Sequence, residues 1–194
     1  MGNLRSVQKA FAFLGFEAEI TDRVAALDEA SHVVLPGDAA FGDAMRNLRG
    51  GGWDEAIARS IDRGKPFLGI CVGLQLMFSE SEERGQHRGL DLLPGRVRQF
   101  PATERVPQIG WNQIEIVQPG CPLFLGVEND SHVYFVHSYY PQPEDASIAA
   151  CRTIYGVEFV SAIWRDNVFA TQFHPEKSQK VGLKNLENFV NLAK

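Results

Sequence analysis

Leu4, Val7, Phe11 and Leu14 recur at three- and four-residue intervals, which lines one face of a helix, with Asn3 standing where an N-terminal cap belongs and Gly15 ending the run. A short strand is expected at 16–20, and a fully apolar one at 33–35 that runs into the turn Pro36-Gly37. Residues from about 41 to 63 read as helix, closed by Gly64. Another buried strand follows at 66–70, and then a helix carrying Leu74, Leu76, Met77 and Phe78. This β-α-β alternation predicts an α/β fold with a parallel sheet covered by helices on both faces. Beyond Glu83 the texture changes to short alternating runs at 96–100, 113–117, 133–140 and 147–155, which predict antiparallel or mixed strands. Asp166-Asn167 between two apolar runs predicts a tight hairpin. A last amphipathic helix, with Ser178 as its cap, presents Val181, Leu186, Phe189 and Val190 along one stripe.

The chain has 194 residues, 44% hydrophobic and 22% charged, which suits one domain, 1–194, with a continuous core. A net charge of -5 without a basic stripe argues against nucleic acid. No apolar run approaches the roughly 20 residues of a spanning helix, and the start lacks the layout of a signal peptide, so the cytoplasm is the default compartment. Three cysteines without a C-x-x-C pair make no disulfide framework. Cys121 and Cys151 read as small buried hydrophobes.

Gly69-Ile70-Cys71-Val72-Gly73 matches the G-x-nucleophile-x-G pattern, in which a sharp strand-to-helix turn raises one side chain at the end of a sheet. The helix N-terminus would favour a thiolate, and the Val72 N–H can face the oxygen of an attacked carbonyl. On this motif alone, a cysteine that merely packs at the turn is an equal reading. His174-Pro175-Glu176 weighs more. At a strand end, residues i and i+2 share a face, so Glu176 can hold the tautomer of His174 while the imidazole takes a thiol proton. A surface His-Pro-Glu turn is the alternative, and pairing with a cysteine elbow disfavours it.

Together with Gly2-Asn3-Leu4-Arg5-Ser6-Val7, Leu35-Pro36-Gly37, Gly110-Trp111-Asn112, His137-Ser138-Tyr139 and Lys177-Ser178, these motifs resemble the class I glutamine amidotransferases. Within them, the likeness is to the branch that feeds ammonia to imidazole glycerol phosphate formation in histidine biosynthesis. The resemblance spans nearly the whole chain. It implies a flavodoxin-like parallel or mixed sheet with an added antiparallel portion, and glutamine hydrolysis by Cys71, His174 and Glu176 without cofactor or metal. It implies an oxyanion hole from the backbone of Val72, Gly37 and Asp38, and glutamine contacts from Gln75, Glu83, Ser138 and Tyr139. It also implies a heterodimer with a (β/α)8-barrel cyclase that docks on Asn3, Trp111, Tyr134 and Lys177. Gln75 reads equally as a polar helix position, Glu83 as a solvated charge and Trp111 as a core aromatic.

Two departures stand out. Asp38-Ala39 replaces the family's V-G, putting a carboxylate beside a developing oxyanion unless it turns outward, and placing a Cβ where glycine would take positive φ freely. The family's opening strand and glycine turn have no counterpart before Asn3, a gap expected to leave neighbouring strands unpaired. Three rivals remain open: a glutaminase of another pathway, a binding or regulatory module that has lost catalysis, and a cysteine peptidase.

Overall fold

The computed structural model describes residues 2–192. In chain order the elements are α1 (Gly2–Phe13), α2 (Ala26–Glu29), β1 (Val33–Gly37), α3 (Phe41–Gly50), α4 (Trp53–Asp62), β2 (Phe67–Cys71), α5 (Val72–Gln75), β3 (Phe78–Ser81) and β4 (His87–Arg88). There follow β5 (Leu93–Gln99), β6 (Gln108–Gln113), β7 (Glu115–Ile116), β8 (His132–His137), β9 (Tyr139–Pro143), β10 (Ala149–Tyr155), β11 (Val157–Arg165), β12 (Val168–Thr171) and α6 (Gln179–Val190). One sheet runs β1-β2-β12-β11-β10-β7, a second β4-β3-β5-β9, and a third is the ribbon β6-β8. β2 pairs parallel with both β1 and β12, whereas β10 and β11 join antiparallel. The sheet is thus mixed, parallel on both sides of β2, which ends at Cys71.

Every residue of β2 is buried, as a strand covered on both faces must be. Its side chains alternate between two cores. Phe67 joins Phe41, Met45 and Ile57 beneath α3 and α4, while Leu68 and Ile70 join Val7, Phe11, Leu186 and Phe189 beneath α1 and α6. β12 repeats this in register, with Val168 opposite Phe67 and Phe169 opposite Leu68.

Several sequence expectations need correction. Residues 16–20 form no strand: β1 is paired only with β2 among the described residues, so nothing extends the sheet toward 16–20. The helix read over 41–63 is two helices, because Gly52 takes φ 71° and turns the chain between α3 and α4. The helix after Cys71 lasts one turn, and Phe78 already opens β3. The run 133–140 divides at Ser138 into β8 and β9. The helix starts at Gly2, so Asn3 lies inside α1 rather than at its cap. Ser178 stands at the N-cap of α6 as expected, but its side chain makes no cap bond there, because its hydroxyl donates to the His174 carbonyl at 2.7 Å and accepts the Tyr134 N–H at 2.9 Å. The Asp166-Asn167 hairpin forms as read, with Arg165 opposite Val168 and Asp166 at φ 53°. Gly15 ends α1's last turn at φ 84°.

The tightest contact in the sheet region is at Gly73, where an added Cβ would lie 1.8 Å from the Leu35 carbonyl oxygen. Backbone faces it on both sides, so neither can yield like a side chain tip. Gly73→Ala is expected to destabilise the fold by about 3 kcal/mol or more. Gly120→Ala, with nothing within 4 Å of the added carbon, should stay within about 0.5 kcal/mol of the parent. Denaturant unfolding of both variants checks this, and equal midpoints would refute the contact as a constraint.

Candidate active site

Cys71 ends β2 with φ 55° and ψ -109°, a strained conformation for a residue bearing a Cβ. The flanking glycines make it possible. A Cβ on Gly69 would lie 2.8 Å from the Gly73 carbonyl oxygen, and one on Gly37 would lie 2.9 Å from the Val72 Cβ. The strand, the turn and the end of β1 therefore pack with bare backbone between them, and the thiol stands at the end of the sheet. α5 has only four residues, so the dipole expected from a long helix shrinks to the amides of one turn.

His174 follows β12 and opens a 3₁₀ turn over Pro175–Lys177. The contact expected with Glu176 is present, but a turn rather than strand alternation makes it. His174 Nδ1–H donates to Glu176 Oε1 at 2.8 Å, with the two side chains 3% and 0% exposed. β8 pins the turn from outside, since Tyr134 O accepts the His174 N–H at 2.9 Å while the Tyr134 N–H binds Ser178 Oγ. Burial pulls the His174 imidazole down, but the hydrogen bonds and charges of Cys71 and Glu176 outweigh it and raise it from 6.5 to about 9. The site thus favours an imidazolium beside the sulfur.

Two buried carboxamides complete this centre. Gln75 Nε2 donates to the Tyr139 carbonyl at 2.9 Å and to Gln172 Oε1 at 3.1 Å, and Gln172 Nε2 lies 3.7 Å from Cys71 Sγ. His137 Nδ1–H donates to the same Tyr139 carbonyl at 2.8 Å. Sequence reasoning missed Gln172. A polar residue between buried Thr171 and Phe173, two positions before His174, was the available signal. Gln75, read as a glutamine contact or as a polar helix position, ends α5 and is 3% exposed, with its donor nitrogen already occupied.

The other expected residues gather unevenly. Gly37 lies against Val72, beside Cys71 in the β1–β2 register. Asp38 and Ala39 are exposed, and neither takes positive φ. Glu83 is not a free surface charge, because Oε2 accepts the Phe41 N–H at 2.7 Å and so holds the start of α3. Burial and the charges of Glu83 and Glu82 raise the Tyr139 phenol above its ordinary value. Ser138 joins β8 to β9, half-buried, its carbonyl accepting the Phe100 N–H. Trp111 is 46% exposed and packs edge-on to Tyr134 at 6.1 Å, so it is not a core residue. Lys177 Nζ lies 5.8 Å from the Tyr134 ring centre. The role expected of Asn3 falls on a side chain outside the described residues. Among the described residues no helix is long and apolar enough to cross a membrane, and no group of three or more His, Cys, Asp or Glu could hold a metal.

The two histidines give stability a defined pH profile. Burial lowers His137 to about 4, so from pH 6.5 down to about 4 the unfolded chain binds the extra proton and stability falls with acid. His174 at about 9 does the opposite, its contribution being complete below 6.5 and lost as pH rises to about 9. These two groups together place maximal stability near pH 6.5, and every tenfold difference in proton affinity between the folded and unfolded chain is worth about 1.4 kcal/mol. His137→Phe is expected to flatten the acid limb alone. Unfolding free energies measured across pH test it, and an unchanged acid limb would contradict the assignment.

Comparison with known proteins agrees with this geometry. Residues 3–192 match the family model described as glutamine amidotransferase class-I. Imidazole glycerol phosphate synthase subunit HisH of Syntrophotalea carbinolica is 55% identical, the match covering 97% of this chain and 95% of that protein. Its namesake from Moorella thermoacetica is 50% identical over 100% of this chain and 92% of that protein. Among solved structures, a glutamine amidotransferase aligns with TM-score 0.75 at 19% identity, covering 97% of this chain and 95% of that one. The glutaminase domain of Trypanosoma brucei CTPS aligns at TM-score 0.65 and 15% identity, covering 98% and 88%. With a strained cysteine facing a histidine held by a carboxylate, and a family match over almost its whole length, this chain belongs to the class I glutamine amidotransferases.

Proposed function

We propose that the chain acts as one glutamine amidotransferase domain that hydrolyses glutamine and hands the ammonia to a cyclase forming imidazole glycerol phosphate in histidine biosynthesis. The strained Cys71 beside a His174 tethered to Glu176 carries the catalytic half of this reading. The high identity to the HisH subunits supports the pathway.

The residues fit roles in two balanced half-reactions. Cys71 Sγ attacks the carboxamide carbon, and the carbonyl oxygen becomes an oxyanion facing the Val72 amide and the backbone of Gly37 and Asp38. His174 then protonates the departing nitrogen, the C–N bond breaks, and a thioester remains as ammonia leaves. In the second half, neutral His174 takes a proton from water, the hydroxide adds to the thioester, and the collapse returns the thiolate and glutamate. Glu176 holds the imidazole throughout. Glu83, Ser138, Tyr139 and Gln75 are proposed to shape the glutamine site.

A partner surface is supported by the outer face of the β6–β8 ribbon. Ile109 is 63% exposed and Trp111 46%, and in the ladder these residues lie opposite Val136 and Tyr134. Such an apolar strip with an aromatic centre and the Lys177 cation at its edge suits docking. We assign it to a (β/α)8-barrel cyclase in a heterodimer in the cytoplasm.

Ammonia release from glutamine, with and without the cyclase, tests the proposal. Cys71→Ala is expected to lower the rate by about 10⁴ or more, His174→Ala nearly as far, and Glu176→Gln less. Cys71→Ala retaining a tenth of the activity would overturn the mechanism, whereas activation by another pathway's synthase in place of the cyclase would overturn the pathway.

A further inference from the structure

The buried amide chain behind Cys71 has its orientation dictated by hydrogen-bond chemistry. The Tyr139 carbonyl can only accept, so the Gln75 atom 2.9 Å away must be the donor Nε2. The same nitrogen lies 3.1 Å from Gln172, so the Gln172 atom it meets must be the acceptor Oε1. That leaves the Gln172 NH₂ end 3.7 Å from Cys71 Sγ, with a proton to give and the sulfur to receive it. Gln172 is 0% exposed and Gln75 3%, so water competes little for either amide. His137 anchors the far end of the chain on the same carbonyl.

We infer that Gln172 is a further catalytic residue, whose carboxamide N–H donates to the Cys71 sulfur and stabilises it as the anion that attacks glutamine. Gln75 is the positioning residue that keeps the donor end of Gln172 toward the sulfur. A buried thiolate needs compensating donors, and His174 alone supplies a proton that must later leave with the amine. The Gln172 N–H carries no such duty and stays in place through both half-reactions. The titratable groups around this centre are His174 with Glu176 behind it, from the turn after β12, and His137 from β8, which burial and the charge of His174 lower. The inference rests on Cys71 being the nucleophile, but its test needs neither glutamine nor a partner.

The test is the pH profile of alkylation by iodoacetamide on the full chain. Burial pushes Cys121 up to about 12 and raises Cys151 well above its ordinary value, so alkylation near neutrality reads Cys71. Gln172→Met, close in shape but unable to donate, is expected to move the midpoint of the profile upward by about one pH unit and to slow alkylation about tenfold on the limb well below the parent's midpoint. Gln172→Glu, whose ionised form cannot donate, should move it further. With glutamine and the cyclase, Gln172→Met should lower kcat about tenfold while KM stays within about twofold. Gln75→Met, which leaves the sulfur untouched but frees the amide to rotate, should show a smaller shift of the same sign. A profile that keeps its midpoint while its plateau falls would make Gln172 a packing residue and overturn the inference, as would an unchanged profile. Thermal melts accompany each variant, and if Gln172→Met does not fold, Gln172→Glu and Gln75→Met decide the matter by the same midpoint. Failure of wild-type ammonia release would instead count against the glutaminase reading alone.

Discussion

The backbone of Cys71 sits at φ 55°, and the surrounding architecture is what holds it there. Strain of this kind costs about 1–3 kcal/mol and persists only where the neighbouring structure leaves the chain no other course. Here β2 is clasped by parallel neighbours on both sides, Gly37 and Gly69 pack against the elbow, and Gly73 passes directly under the Leu35 carbonyl. Relaxing the cysteine would drive backbone into backbone. The energy comes from the two apolar cores on either face of β2, and its effect is a sulfur presented at the end of the sheet instead of folded into it.

β8 is the second organising element, because its two faces and its backbone serve different parts of the site. The Val136 carbonyl lies 3.9 Å from the Cys71 sulfur, Tyr134 holds both ends of the histidine turn, and His137 ties into the amide chain. Inward, Phe135 and His137 pack among Phe100, Phe159 and Phe173. Outward, Tyr134 meets Trp111 and Lys177 on the exposed ribbon. A partner seated on that ribbon would touch the strand that holds the His174 turn in place.

Charge placement within the site follows from burial. Two histidines lie near one another, and burial keeps His137 neutral, while the carboxylate of Glu176 and the sulfur of Cys71 favour the charged form of His174. Such divergence between neighbouring identical side chains comes from their surroundings, since one has a carbonyl partner and the other a carboxylate and a sulfur. Cys121 and Cys151 show the same logic, since desolvation raises both.

The chain's sequence by itself determined the elbow, the histidine-carboxylate pair, the family and the parallel pair β1–β2, but not that β12 lies parallel to β2 on its other side. Each of these rests on short-range patterning: glycines flanking a cysteine, apolar runs of strand length, a hairpin turn at Asp166-Asn167. The limits of α3 and α4 were also written locally, in Gly50-Gly51-Gly52, though the helical period on either side concealed them. What only the tertiary structure decided is everything that depends on residues remote in sequence meeting without water. The 16–20 run looks like a strand but has no ladder to join. Ser178 looks like a cap but spends its hydroxyl on β8 and His174. Gln172 looks like an ordinary strand-end polar residue until Gln75, 97 positions away in the chain, fixes which end of its amide faces the sulfur. A hydrogen-bond donor acquires its direction from its other partner, and that partner is chosen by the fold.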